Sequence, residues 1–202
     1  MLSPYTRSAF SLIELLVVIA ILAIVSAIAL PAFNSIRAAG GLTKTANDIA
    51  GILEQARAYA MAQNTYVWVG FRKDGADTLA VGVIASKTGS ANPTANVVQL
   101  GKITRFENIQ LVALPNSPAP SATNVAQLLG ATNFAFTSGT NTFSSQVIRW
   151  DSRGEARISA SQLSRLIEIG LQGSAGGIIR NASNNAAVQI GGLSGAVIVY
   201  RP

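Results

Sequence analysis

The feature that most constrains this chain is an apolar run near its N-terminus, at residues 10–30. Within the run only Ser11, Glu14 and Ser26 are not apolar. As an α-helix rising about 1.5 Å per residue it would span roughly 31 Å, which matches the ~30 Å hydrocarbon core of a bilayer. The later apolar runs have the length of strands, so the sequence predicts at most one membrane span.

Three interpretations of this run compete. A cleaved secretory signal fits the basic Arg7 and the sequence Ala-Ile-Ala at 27–29, which resembles a cleavage site, but the apolar region is too long for such a signal. A plain signal-anchor helix fits the length and leaves Glu14 unexplained, because a carboxylate inside a span costs about 2.5–3.5 kcal/mol. The third interpretation gives Glu14 a positively charged partner.

Residues 9–16, Ala-Phe-Ser-Leu-Ile-Glu-Leu-Leu, resemble the processing site of type IV prepilins and type II secretion pseudopilins. In that family a membrane aspartic peptidase removes a short leader before the Phe and methylates the new amine. The resemblance implies a leader at residues 1–9, cleavage between Ala9 and Phe10, and N-methylation of Phe10. Ala9 stands where the family usually has Gly, a departure that bears on the rate of cleavage.

By the same resemblance Glu14 becomes the fifth residue of the mature chain, one helical turn from the Phe10 amine. Its carboxylate would meet the positive N-terminus of its own helix and neutralise the amine of a neighbouring subunit. Because an unpaired charge in an apolar bundle is costly, this pairing would also set the stagger between subunits. The alternative for Glu14 is a carboxylate that snorkels to the membrane interface.

Pro31 follows the apolar run, and its missing N–H predicts a kink in the helix or the end of the span. Beyond it the sequence predicts an amphipathic helical stem, with Gly40 and Gly41 as a bend or hinge. The apolar face of this stem has residues at spacings of three and four and is expected to pack on the sheet of a head domain. Its residues are Leu42, Ala46, Ile49, Leu53, Ala56 and Ala60.

After Asn64 the period of the apolar residues changes to two, which is typical of β-strands. Residues 65–71 and 79–86 predict a hairpin around a turn at 72–75. Shorter strands are predicted at residues 97–100, 103–106, 109–112, 134–136, 146–150, 155–158, 166–171, 177–180, 187–190 and 196–200. The three prolines of residues 113–121 predict an exposed loop, and residues 125–130 predict one turn of helix. Trp68 and Trp150 are expected in the core.

The sequence therefore predicts an α+β, pilin-like fold, in which a long N-terminal helix packs on a mostly antiparallel β-sheet head. The expected division is a leader at residues 1–9, a transmembrane and filament-core helix at 10–32, an amphipathic stem at 33–63, and a β-rich head at 64–202.

Two further passages resemble minor subunits of such filaments. Residues 53–60, Leu-Glu-Gln-Ala-Arg-Ala-Tyr-Ala, and the strand at 67–71 are similar to minor pseudopilins of the H type and related minor pilins. Residues 147–154 resemble their strand–turn segment more loosely. The chain also lacks the Cys pair of many major pilins. The resemblance implies a structural subunit, of the minor kind, in a type IV pilus or a type II secretion pseudopilus.

The composition limits the kinds of catalytic and metal-binding site that the chain can form. The chain has no Cys and no His, which excludes thiolate and imidazole ligands and Ser-His-Asp catalysis. We therefore expect no enzyme, no cofactor and no metal site. Asp74 and Asp77, which flank a Gly turn, are interpreted as turn residues rather than calcium ligands.

The basic balance of the chain, a formal net charge of +6, supports a different class of function. In this alternative the head is a filament-tip binding module, such as a DNA-uptake receptor or an adhesin, on the same anchor. A single-pass anchored hydrolase is a third, weaker alternative. The candidate nucleic-acid patch consists of scattered arginines, namely Arg149, Arg153, Arg157, Arg165, Arg180 and Arg201.

The resemblance also implies a location and partners. The protein would cross the bacterial inner membrane once, with its N-terminus cytoplasmic and its head periplasmic, and would enter a filament after assembly. The implied partners are other pilin or pseudopilin subunits, the prepilin peptidase and an inner-membrane assembly platform.

Overall fold

The computed structural model describes residues 12–94, 96–120, 125–129, 134–179 and 181–202, with the backbone alone for residues 27–40. One helix, α1 (Leu12–Ala62), is followed by strands that pair almost entirely in antiparallel fashion. The α+β prediction is confirmed. The contacts of the chain divide it into two compact units, with the boundary between Ala38 and Ala39.

The backbone of α1 is helical through Pro31, Gly40 and Gly41. None of these residues therefore ends the helix. The kink expected at Pro31 and the hinge expected at the two glycines stay predictions, as do the boundaries of the leader, span, stem and head.

The second unit contains two larger sheets and a small hairpin. The strands of the first sheet are β1 (Val67–Lys73), β2 (Thr78–Ser86), β3 (Val97–Gln99), β4 (Thr104–Glu107), β9 (Val147–Trp150) and β10 (Ala156–Arg157). They lie in the order β10-β9-β1-β2-β3, and β4 also pairs with β2. The hairpin predicted around residues 72–75 is β1 with β2, in which Val67 faces Ala85.

The strands of the second sheet are β5 (Ile109–Val112), β6 (Val125–Gln127), β11 (Leu166–Ala175), β12 (Ile178–Ile179), β13 (Asn185–Gly191) and β14 (Val197–Tyr200). They lie in the order β12-β11-β13-β14, with β5 and β6 also paired to β11. The small hairpin joins β7 (Phe136–Ser138) to β8 (Asn141–Phe143).

The main core forms where the stem part of α1 packs on both sheets. The six residues of the predicted apolar face, from Leu42 to Ala60, are all buried. They share one cluster with residues of both sheets, such as Val69, Trp150, Ile169 and Val188. The prediction that the stem packs on the sheet of the head is confirmed.

A second, smaller core holds the hairpin of β7 and β8. Phe143 and Phe136 stack there with ring centroids 4.9 Å apart, and they pack with Trp68. Gly70 and Gly82 face each other across β1 and β2, and a Cβ on either would lie 2.7 Å from an atom of Phe143. The two glycines therefore give the Phe143 ring its space against the sheet.

One prediction for the head was wrong, a second was right only in part, and one strand was not predicted. Residues 125–127 form strand β6, which pairs in parallel with β11, and not a turn of helix. The proline-rich segment 113–120 is not fully exposed, because Leu114 and Ala119 are buried. Leu114 fills the space beside Gly170, where a Cβ would come within 2.7 Å of its Cγ. Strand β8 lies in a polar stretch that shows no apolar alternation, and it was not predicted.

Candidate functional site

The N-terminal part of α1 presents apolar side chains on all of its faces. Of residues 12–26, whose side chains the structure describes, all except Glu14 and Ser26 are apolar, and all are exposed. The large ones range from 48% exposed for Val17 and Val18 to 83% for Leu12. A helix that is apolar all round is stable only where apolar material covers it.

The free-energy gain from covering this helix is large. Full burial of one Leu, Ile or Val side chain contributes roughly 1.5–3 kcal/mol. The exposed run from Leu12 to Val25 repeats that gain at nearly every position. The chemistry available to this segment is therefore association, either with lipid or with other apolar helices.

Glu14 interrupts the apolar surface. It is the acidic residue of the first turn of α1, and it is exposed. The partial positive charge of the helix N-terminus favours a carboxylate there by about 0.3–1 kcal/mol at an exposed site. Glu14 is the charged residue among residues 12–26. A carboxylate in an apolar environment is costly without a cationic partner.

Residues 5–30 match the prokaryotic N-terminal methylation motif. This motif marks the chain as a prepilin-peptidase substrate and a pilin-like subunit, and it indicates assembly with other pilin subunits. The motif is typical of proteins that are anchored in a membrane or associated with a pilus. The match ends at residue 30 and does not include the head. No curated protein and no solved structure that was compared with the chain matches it.

Within the part of the chain that the structure describes, no helix is both long and apolar enough to cross a membrane.

The residues at which processing is predicted precede residue 12 in the sequence. Ala9, Phe10 and the leader at residues 1–9 lie outside the described residues. Pro31 lies within α1, but its side chain also falls outside them. Cleavage between Ala9 and Phe10, methylation of Phe10 and the kink at Pro31 stay predictions.

The structure brings together only three of the six arginines of the predicted nucleic-acid patch. Arg149 on β9 faces Arg157 on β10, and Arg153 lies in the turn between these strands. Arg153 and Arg157 both form ion pairs with Glu155, at 3.1 and 2.9 Å. Carboxylates of the same turn thus neutralise part of this basic cluster.

The other arginines of the patch do not join this cluster in the described residues. Arg201 donates to the backbone oxygen of Asn185 at 2.9 Å and to Oδ1 of Asn184 at 3.0 Å. Arg165 is exposed next to β11, and Arg180 lies outside the described residues. The described residues thus show a cluster of three arginines and an Arg201 that is already bonded within the protein, which supports nucleic-acid binding less than one continuous basic surface would.

Asp74 and Asp77 both have protein partners. Asp74 accepts hydrogen bonds from Arg105 at 2.8 Å and from Arg72 at 3.0 Å. The hydrogen bond from Arg105 is the main cause that lowers the pKa of Asp74. Asp77 accepts the backbone N–H of Gly177 at 2.8 Å. Among the described residues no cluster of acidic side chains could hold a metal ion.

A buried polar cluster on the second sheet was missed by the sequence analysis. Glu168 on β11 is 1% exposed, and it accepts hydrogen bonds from Ser117, Gln127 and Gln189. The one available signal was a Glu within the apolar strand segment at 166–171. Its partners could not be identified, because they lie 21 to 51 residues away in sequence.

Proposed function

We propose that this chain is a minor structural subunit of a filament, either a type IV pilus-like fibre or a type II secretion pseudopilus. The observation that carries the proposal is the exposed apolar helix of residues 12–26, with Glu14 in its first turn, inside the methylation motif. The absence of Cys supports the minor type, since many major pilins close a loop with a Cys pair.

In this proposal the apolar helix is used twice. It first anchors the precursor in the inner membrane as a single span at residues 10–32, with the head on the periplasmic side. After removal of the leader at Ala9 and methylation of Phe10, the same surface packs against the helices of neighbouring subunits. Both environments cover the side chains that α1 leaves exposed, which accounts for an apolar surface on every face.

Glu14 gives the packing its register in this account. Lateral contacts between apolar helices permit several staggers, because they are not directional. A carboxylate that meets the Phe10 amine of a neighbour selects one stagger, since any other leaves both charges unpaired in an apolar bundle. In this account the stem and the head carry out no chemical reaction, and the role of the subunit is structural.

The proposal is tested by Glu14→Ala, with Ser26→Ala as the matched control at the other polar position of the exposed helix. Both variants of the full chain are expected in the membrane fraction at the wild-type level. In sheared filament fractions, Glu14→Ala should fall at least tenfold while Ser26→Ala stays near wild type. Normal incorporation of Glu14→Ala would contradict the register role.

The filament-tip alternative with DNA as ligand has less support from the arginines. Arg153 and Arg157 are paired with Glu155, and Arg201 is bonded to the backbone of the second sheet. A phosphate backbone gains most from cations that are not already neutralised and that lie along one surface. This distribution favours the structural role.

A further inference from the structure

Arg149 differs from the other described arginines in its surroundings. It lies on β9, where its neighbours across the sheet are Trp68 on β1 and Arg157 on β10. Residues that face each other on adjacent strands project to the same side of a sheet. Arg149 therefore shares a side with Trp68, at the margin of the smaller core.

Two aromatic rings hold the guanidinium. Cζ of Arg149 lies 5.2 Å from the centroid of the Tyr66 ring and 4.8 Å from that of Phe134, with the cation over each ring. Both distances are within the range of cation–π attraction, and the planar guanidinium stacks well on aromatic faces. The Tyr66 ring is itself held 6.2 Å from Trp68. The contacts fix the position of the guanidinium on a rigid strand.

The charge of Arg149 lacks a directly bonded partner among the described residues. Its Nε is buried and has no hydrogen-bond acceptor there, and the same is true of Nε1 of the neighbouring Trp68. Burial is the main cause that lowers the pKa of Arg149. A half-buried cation without a bonded anion gains from contact with an anionic group.

Arg72 provides an internal comparison. Its guanidinium also lies over an aromatic ring, 5.9 Å from the centroid of Phe143. Its Nε, like that of Arg149, is buried without an acceptor among the described residues, but its Nη2 donates to Oδ1 of Asp74 at 3.0 Å and to Oδ1 of Asn141 at 2.7 Å. The fold thus supplies acceptors to one stacked arginine and supplies none, in its described part, to the other.

The charges around Arg149 limit what it can bind. Asp151 and Glu155 are close by, but both are taken up by Arg153, and Glu155 also by Arg157. These three arginines and two carboxylates leave a single net positive charge. A single carboxylate matches that charge and the two-pronged edge of a guanidinium. A polyanion would meet the two acidic side chains as well, which is unfavourable.

We propose that Arg149, held on Tyr66 and Phe134, binds one carboxylate side chain of a polypeptide segment on a partner protein. Aromatic residues and Arg are the side chains that dominate the energetics of protein interfaces, especially where they are preorganised. Here Arg149 on β9 meets Tyr66, which precedes β1, and Phe134, which precedes β7. A polypeptide source is favoured over a free organic acid because the half-buried Tyr66 ring beside the guanidinium offers apolar surface to the rest of a chain.

The test uses the full-length protein in detergent micelles and a fluorescein-labelled glycine-rich peptide that carries a single glutamate and has blocked termini. A second peptide with glutamine in place of glutamate measures the contribution of the carboxylate. At about 0.15 M salt, where long-range attraction is largely screened, wild-type protein should bind the glutamate peptide at least tenfold more tightly by fluorescence anisotropy. Equal binding of the two peptides would overturn the proposal.

Substitutions of the arginines test whether Arg149 is the cation that binds the carboxylate. Arg149→Gln should weaken binding of the glutamate peptide at least tenfold. Arg149→Lys should weaken it about threefold or more, because Lys keeps the charge but cannot donate two parallel hydrogen bonds to a carboxylate. Arg153→Gln is the matched control, since this exposed neighbour is already paired, and it should change the affinity less than twofold. Wild-type affinity in Arg149→Gln, or an equal loss in Arg153→Gln, would contradict the assignment.

Two further measurements address a variant that fails to fold and a small acid as the ligand. If Arg149→Gln lacks the circular dichroism spectrum of the wild type, the Arg149→Lys variant and the comparison of the two peptides decide the question. Glutarate is the probe for a small acid, and it should compete with the peptide only at concentrations at least tenfold higher. Competition by glutarate at the concentration of the unlabelled peptide would overturn the polypeptide source.

Discussion

Gln189 Nε2 donates a 2.8 Å hydrogen bond to Oε2 of Glu168 from the facing position on the adjacent strand. Ser117 Oγ donates to the same oxygen at 2.7 Å, and Gln127 Nε2 donates to Oε1 at 2.6 Å. Three neutral donors thus hold a carboxylate that is almost completely buried. The cluster joins β6, β11 and β13 to the proline-rich segment 113–120.

The substitution Glu168→Gln tests the cluster. An amide at this position has one oxygen and one NH2 group, so at least one of the present donors would face another donor. A buried donor without an acceptor costs about 1–3 kcal/mol. We expect the free energy of unfolding of the full chain, measured with urea, to fall by roughly 1–3 kcal/mol.

The control is Glu107→Gln, the same exchange at an exposed residue of β4. It should change the free energy of unfolding by less than about 0.5 kcal/mol. Equal effects of the two substitutions would show that the hydrogen bonds of Glu168 do not stabilise the fold.

The glycine pair beneath Phe143 makes a second prediction. In Gly70→Ala the new Cβ would lie 2.7 Å from Cβ of Phe143 and 2.8 Å from ring atoms of Phe136. Such overpacking costs typically about 1–3 kcal/mol, which thermal or urea unfolding of the full chain would detect.

Gly51→Ala is expected to have the opposite sign. Gly51 lies inside α1, and no heavy atom would come within 4 Å of a new Cβ. Replacing Gly by Ala in a helix interior stabilises by roughly 0.5–1 kcal/mol. A Gly70→Ala variant as stable as Gly51→Ala would contradict the account of the smaller core.

The stem was predictable from the sequence because its information is local. Residues three and four apart fall on one face of a helix, so the spacing from Leu42 to Ala60 identified the buried face directly. The hairpin of β1 and β2 was predictable for the same reason. The membrane span, by contrast, stays a prediction that rests on the length and hydropathy of residues 10–30. Its interpretation as a prepilin helix depends on the motif around Glu14.

The errors arose where distant segments decide the structure. Residues 125–127 form a strand because β11 offers them a parallel partner some 40 residues later, and local sequence does not encode that partner. Segment 113–120 was expected to be exposed because of its prolines, yet Ser117 and Leu114 contact β11. The surroundings of Arg149 likewise combine residues from three separate segments.

The packing of the stem on the sheets leads to another prediction about stability. Leu53 is completely buried between α1 and the sheets, and Leu53→Ala should lower the free energy of unfolding by about 2–5 kcal/mol. The neighbouring exposed Gln55 is the control, since Gln55→Ala leaves the buried face intact. A loss below about 1 kcal/mol in Leu53→Ala would contradict the tight packing of the stem.

Asp74 predicts a dependence of stability on pH. The hydrogen bond from Arg105 lowers the pKa of Asp74 in the folded chain. A carboxylate with a lowered folded pKa stabilises above its unfolded pKa of about 4, and this stabilisation is lost as the pH falls through the folded value. Asp74→Asn should therefore make the stability less dependent on pH below about 4.

Arg105→Gln should flatten the same acidic limb, because it removes the main cause of the shift. The double variant should then resemble each single variant in urea unfolding curves measured from pH 2 to 6. An acidic limb that is unchanged in Asp74→Asn would show that Asp74 does not contribute to it.

The central claim is that this chain is processed as a prepilin, and the N-terminus of the membrane-bound protein tests it most directly. Intact-mass analysis and N-terminal sequencing should be carried out on full-length protein expressed with and without a prepilin peptidase. With the peptidase, the account predicts a chain that begins at N-methylated Phe10, with residues 1–9 removed. A chain that still begins at Met1 under those conditions, or one that begins near residue 30, would contradict it.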